Sequence, residues 1–188
     1  MNEEMSREKT SASRAVLYGI IGMAAAVALP QVIHVFGAMT GLGTLPGETY
    51  LPMHLPVLLT GFLAGPIAGL LCGLTAPAVS TALTGMPVPM MMPFMMIELA
   101  AYGLSAGLLK PVGGDGNYMI LKTLGAQIAG RAVRAVAVLI AFYGLGMTMI
   151  APASIWMSVM TGLPGIIIQL VAVPVIVKLV KKAEGNQD

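Results

Sequence analysis

The chain has 188 residues, of which 57% are apolar and only 10% charged, with a formal net charge of +2. Soluble domains carry about a quarter charged residues, so a single soluble core of this size is excluded and an integral membrane protein is the expected class. No basic patch is interleaved with aromatics, which excludes a nucleic-acid footprint.

Cys72 is the single cysteine and lies inside an apolar run, so neither a disulfide framework nor zinc spacing is present. Arg7, Lys9 and Arg14 precede the first apolar run, and that run is too long for the h-region of a cleaved signal. Insertion without processing is the expectation.

A spanning helix needs about 20 apolar residues for roughly 30 Å of hydrocarbon, and the run over 14–36 meets that length. A glycine-rich loop with Glu48 and Tyr50 follows. The segment 52–83, including "LPVLLTGFLAGPIAGLLCGL", would be about 48 Å long as one helix at 1.5 Å per residue. It exceeds the bilayer core and should break at Gly65-Pro66, because glycine suits a helix end and proline a first turn. Two helices over about 52–64 and 67–84 are therefore expected, the first short for a full span. Gly61, Gly65, Gly69 and Gly73 recur every fourth residue, the spacing that lets helices approach closely in lipid; a tightly packed hairpin follows.

Further helices are expected over 90–109, 118–144 and 153–180, the last bent by Pro164 and Pro174. A polar connection lies at 110–117 and a flexible tail at 183–188. The whole chain, 1–188, reads as one all-α membrane domain of six transmembrane helices. Lys110, Lys122, Lys178, Lys181 and Lys182 fall on the side of the basic N-terminus, while the connections at 37–51, 84–89 and 145–152 hold no Lys or Arg. Positive residues stay inside, so cytoplasmic termini are expected, with Glu48 on the outer side. No internal repeat supports an inverted-repeat transporter.

Several segments carry a resemblance: "SRAVLYGIIGMAAAVALP", "PVLLTGFLAGPIAGLLCGL", "ELAAYGLSAGLL", "QIAGR" and "TGLPGIIIQLVAVPVIVKLV". With six helices in under 200 residues, the chain resembles the S components of energy-coupling factor (ECF) transporters over nearly its whole length. The resemblance implies a high-affinity binding subunit for a vitamin, a precursor or a metal ion, docking on a transmembrane coupling protein and two cytoplasmic ATPases. It implies a multi-pass protein of a prokaryotic plasma membrane, with no enzyme activity and no cofactor of its own. The absence of a GxxxxGK[ST] phosphate loop agrees. Metal-binding S components carry an N-terminal Met-His motif; here "MH" occurs only at 53–54, so nickel or cobalt cargo is not expected.

Ionisable groups inside a bilayer are costly and mark function. Arg131 and Arg134 share one face of the fifth helix, with Gln127 a turn below. Glu98 lies two turns into the fourth helix, with Tyr102 a turn further. The resemblance places a pocket among helices four to six under the first outer loop. One reading is that Arg131 and Arg134 hold an anionic or carbonyl group of the cargo, which guanidinium fits bidentately, while Glu98 accepts hydrogen bonds. The other is an internal Glu98–arginine ion pair fastening two helices.

Trp156 either stacks on a ring of the cargo or anchors the interface. Glu48 either closes over the pocket or is solvated. Gln169 reads as a helix–helix hydrogen bond, and His54 and His34 as capping or packing residues. "MPVPMMMPFMM" sets Met91 with Met95 and Met92 with Met96 at helical spacing. Thioethers bind Cu(I), so a copper-handling protein is the alternative; adaptable filler or pocket lining is the simpler role. No metal-site cluster and no catalytic pair is found.

Ala15, Gly19, Gly22 and Ala26 form small-residue rows on the first helix; the resemblance makes them the coupling-protein interface. The expected function is the substrate-binding subunit of a vitamin importer. Pantothenate, a folate or a cobalamin-like precursor all fit this reading.

Overall fold

The break expected at Gly65-Pro66 is present in a computed structural model that describes residues 2–110 and 118–185. Helix α3 (His54–Ala64) ends where Gly65 adopts φ 99°, and Pro66 opens α4 (Pro66–Thr84). Only glycine takes that backbone conformation without strain. The other elements are α1 (Asn2–Met39), α2 (Leu45–Tyr50), α5 (Met92–Leu108), α6 (Met119–Leu139) with a π-helical turn over Ile140–Gly144, and α7 (Ala153–Gly185). Among the described residues there is no strand. The connection expected over 110–117 lies, after Lys110, outside the described residues, as do 186–188 of the expected tail and the side chains of Arg7 and Lys9.

Four helical stretches are long and apolar enough to cross a membrane: Ala12–Met39, Pro66–Thr84, Met119–Gly144 and Ala153–Glu184. Met92–Leu108 is a shorter apolar helix. At 11 residues, α3 reaches only about 16 Å at 1.5 Å per residue. Three expectations are corrected. The first helix starts at Asn2, because its polar N-terminal residues are good helix formers. The expected loop contains α2, which Pro46 opens in its first turn. The last helix runs past Val180 to Gly185 with Pro164 and Pro174 inside it, so 183–185 are helical.

Helix α5 packs on α3, α4 and α6, with its most extensive contact on α4. The reason is small side chains. A Cβ at Gly69 would collide with the Gly103 carbonyl, and one at Gly103 with Gly69, so backbone meets backbone there. The glycine rhythm thus builds a three-helix contact of α3, α4 and α5 and not only a hairpin. Tyr102, Phe62, Leu58 and Leu99 fill the core.

Tyr18 Oη donates to Glu184 Oε1 at 2.7 Å, and Lys110 Nζ to the Leu63 carbonyl at 3.0 Å. These contacts gather the start of α1 and the ends of α3, α5 and α7 at one end of the bundle. The opposite end, where α2 lies, opens into a cavity.

Candidate substrate cavity

A cavity of about 430 Å³ lies among the C-terminal part of α1, α2, the start of α3, the 86–95 segment, α6 and the start of α7. Small-molecule sites commonly measure about 300–1,000 Å³. Its wall is closed by Gln31 Nε2 donating to Ser80 Oγ at 3.0 Å and Ser80 Oγ donating to the Met86 carbonyl at 2.7 Å. Over it lies α2, from which Gly47 and Glu48 reach the cavity.

At its inner end stands a charged cluster. Arg134 Nη1 donates to Glu98 Oε2 at 2.7 Å, and Arg131 Nη1 lies 3.0 Å from Glu98 Oε1. His54 Nε2 is 3.6 Å from the same oxygen, and its ring meets the Tyr102 ring edge-on with centroids 5.0 Å apart. The positions follow from helical phase: Glu98 and Tyr102 are four apart on α5, Arg131 and Arg134 three apart on α6. The ion pair of one reading is present in the two arginines. They pair with Glu98, and they also line the cavity.

Burial separates the two signs of charge. The Glu98 side chain is 0% exposed, while Arg131 and Arg134 keep 12% and 13%. Glu98 lies behind its partners, engaged by both arginines, and is absent from the lining. Arg131 Nε and Nη2, Arg134 Nε, both His54 nitrogens, Tyr102 Oη and Ser154 Oγ are buried with no hydrogen-bond partner. Buried polar groups are nearly always paired, so this accumulation at one cavity end marks it.

Other expected site residues fall elsewhere. Gln127 is not part of the lining: its Nε2 donates to Gln169 Oε1 at 3.1 Å and to the Ile166 carbonyl at 3.3 Å. Gln169 in turn donates to the Leu51 carbonyl at 3.2 Å. This chain of bonds ties α6 and α7 to the residue that ends α2. Tyr102 is wholly buried below the cavity. Trp156 is 69% exposed on the outer face of α7, so stacking on a cargo in this cavity is corrected to an outward position. Helical phase is the reason, since Ser154, Met157, Ser158 and Thr161 take the cavity side. Glu48 does line the cavity and accepts from Thr44 Oγ1 at 3.0 Å.

Sequence reasoning undervalued His54, read as a capping or packing residue yet standing beside Glu98, and passed over Ser154, Ser158 and Thr161. Their spacing of four and three was a legible small polar stripe. Met91 and Met95 line the cavity with Met53, Met86 and Met157, whereas Met92 and Met96 do not.

A second, shallower groove runs between α1 and α4, lined among others by Ala15, Gly19, Met23, Ile67 and Leu71. Ala15 and Gly19 reach it. Gly22 and Ala26 do not: Ala26 is buried in the core, and a Cβ at Gly22 would collide with Thr60 of α3. Of the four small residues expected at an interface, Ala15 and Gly19 border this groove, and Gly22 and Ala26 pack inside the chain.

These features define a multi-pass helical membrane protein with a cavity at one end. The family of ECF transporter substrate-specific components matches residues 15–177, and the chain belongs to that family. It is a substrate-binding membrane subunit and not an enzyme. Neither a curated protein nor a solved structure matches it.

Proposed function

We propose that the cavity beneath α2 is the binding site for a water-soluble vitamin or vitamin precursor, which the chain delivers to an ECF-type importer in a prokaryotic plasma membrane. The observation that carries this is the set of unpartnered donors of Arg131, Arg134 and His54 around Glu98, at the inner end of a cavity lined by methionines and small polar residues. Arg131 and Arg134 are the cargo-facing pair, Glu98 orients them, and Glu48 lies at the rim. Tyr102 and Gln127 support the site from below and beside it.

Positive residues stay cytoplasmic, so the Lys110 and Lys181 end faces the cytoplasm and the cavity end faces out. On that orientation Ala15 and Gly19, in the open α1–α4 groove, meet the transmembrane coupling protein. ATP is then hydrolysed by two separate cytoplasmic subunits. A soft-metal site is a second reading, supported by five thioethers around one cavity. It ranks second because two guanidiniums line the same space and repel a cation.

The test is to purify the chain in detergent, denature it and analyse the extract by mass spectrometry. A stoichiometric vitamin or precursor supports the proposal. Protein that binds no vitamin but retains copper overturns it.

A further inference from the structure

Resting on that reading of the cavity, we infer that the cargo is an aliphatic monocarboxylate: one carboxylate held at the arginine end, on a flexible body without a flat aromatic ring system.

Charge sets the first half. Two guanidiniums share one carboxylate, so Arg131, Arg134 and Glu98 together carry +2 − 1 = +1. A ligand entering the cavity meets the arginines and not Glu98, which is fully enclosed. One anionic group brings the cluster to neutrality. A doubly charged phosphate ester would leave an uncompensated negative charge in a site of low dielectric, which is costly. Glu48 at the rim repels a second anionic group from the other side. The free donors fit a carboxylate: guanidinium matches its planar geometry, and Arg131 Nε and Nη2 and Arg134 Nε have no partner within the chain.

The lining sets the second half. Among the described residues no Phe, Tyr or Trp lines the cavity, whose rings are the imidazoles of His34 and His54; Tyr102 and Phe94 are buried in the core, and Trp156 faces outward. The apolar surface comes from Met53, Met86, Met91, Met95 and Met157, with prolines and Leu51. Ring recognition draws on aromatic platforms in offset-stacked or edge-to-face geometry. Methionines instead mould to irregular, flexible or sulfur-containing chains. Thr161 leaves a hydroxyl to donate to an amide or hydroxyl group along that chain, and the Ser158 oxygen, whose proton goes to the Ile155 carbonyl, can still accept.

The test titrates the purified full chain in detergent by calorimetry. The probes are pantothenate, lipoate and biotin; their uncharged counterparts pantothenol, lipoamide and biotinamide; and riboflavin and thiamine as neutral and cationic ring compounds. At least one acid should bind, its uncharged counterpart at least tenfold more weakly. Arg134→Met leaves Arg131 paired with Glu98 and lowers the cluster charge from +1 to 0, so it should abolish that tenfold preference. Arg134→Lys, which keeps the charge, should restore part of it.

Tighter binding of riboflavin or thiamine than of every acid overturns the inference but leaves the binding subunit standing. So does equal binding of an acid and its uncharged counterpart. If no probe binds, the compound released on denaturation decides: a single-carboxylate aliphatic compound supports the inference and any other compound overturns it. No released compound at all overturns the binding-subunit reading and the inference with it.

Discussion

Arg134 Nη1 and Glu98 Oε2 stand 2.7 Å apart across the α5–α6 contact, with Glu98 fully enclosed. The pair fastens two helices and aims a guanidinium at the cavity in the same geometry. Removing one partner of a buried ion pair commonly costs about 3–5 kcal/mol, because the other charge is left unpaired. Glu98→Ala strands two arginines, so it should destabilise the chain by about that amount. Cys72 is the single thiol and is buried, so thermal unfolding can be followed by its labelling with a fluorogenic maleimide. An unfolding midpoint unchanged from the parent would show that Glu98 does not hold the cluster together.

The close approach of Gly69 and Gly103 makes a second prediction. Each Cβ would run into backbone that cannot yield as a side chain can. Overpacking within a core typically costs about 1–3 kcal/mol and more where backbone must move. Gly103→Val should separate α4 from α5 and abolish a monodisperse peak on gel filtration in detergent. Gly19→Val, where an added Cβ meets nothing within 4 Å, is the control and should elute as the parent does.

How far the sequence discloses this arrangement depends on the residue. The Gly65-Pro66 break was legible because length and local chemistry agree: too many apolar residues for one span, and a glycine–proline pair where two helices must part. The positions of Arg131, Arg134 and Glu98 were legible because charge in an apolar run is rare and helical phase is regular. Helix α2 was not, since "LPGETY" carries proline and glycine and its six residues hold helical form through packing on α1 and α7. The role of His54 was hidden for a related reason. It is remote in sequence from Glu98, and only the α3–α5 packing brings them to 3.6 Å. Trp156 stayed between two readings because an aromatic residue near a helix end fits both a cavity and a lipid-facing position; only the register of α7 turns it outward.

That register yields a third prediction. Trp156 projects from the outer face of α7, away from the Ser154, Ser158 and Thr161 stripe. Trp156→Ala should leave the affinity for the co-purified compound within about twofold, well under the tenfold that 1.4 kcal/mol represents. Thr161→Val should weaken it by more. Calorimetry on the two variants checks the order, and a larger loss for Trp156→Ala would place the site on the other face.

The open groove between α1 and α4 yields the fourth. Ala15 and Gly19 border an apolar surface that the chain itself leaves uncovered. Small residues permit close helix contact in lipid, so filling the row should obstruct a docking helix without touching the cavity. Gly19→Leu should reduce co-purification with the coupling protein and ATPases by at least tenfold while cargo binding stays unchanged. Retained assembly would move the coupling face away from α1.

The last prediction concerns the tether between α7 and the end of α2. Gln169 donates to the carbonyl of Leu51, and Gln127 holds Gln169 in place. Leu51 itself sits at φ 50°, ψ 51°, a left-handed conformation that disfavours a branched apolar side chain. The tether therefore holds a strained residue at the point where α2 turns down into α3. Gln169→Leu keeps the bulk but removes the side-chain donor, so the Leu51 carbonyl keeps only the bond from the His54 backbone N–H at 3.0 Å, a loss of about 0.5–1.5 kcal/mol for one hydrogen bond. The loosened α2 should cover the cavity less of the time, so cargo should dissociate several-fold faster with little change in its association rate. Adding Leu51→Gly, which removes the left-handed penalty, should recover part of the lost stability but not the slow dissociation. Stopped-flow displacement of the bound compound separates the two effects. An unchanged dissociation rate in Gln169→Leu would show that α2 is held over the cavity by its packing on α1 and α7 alone.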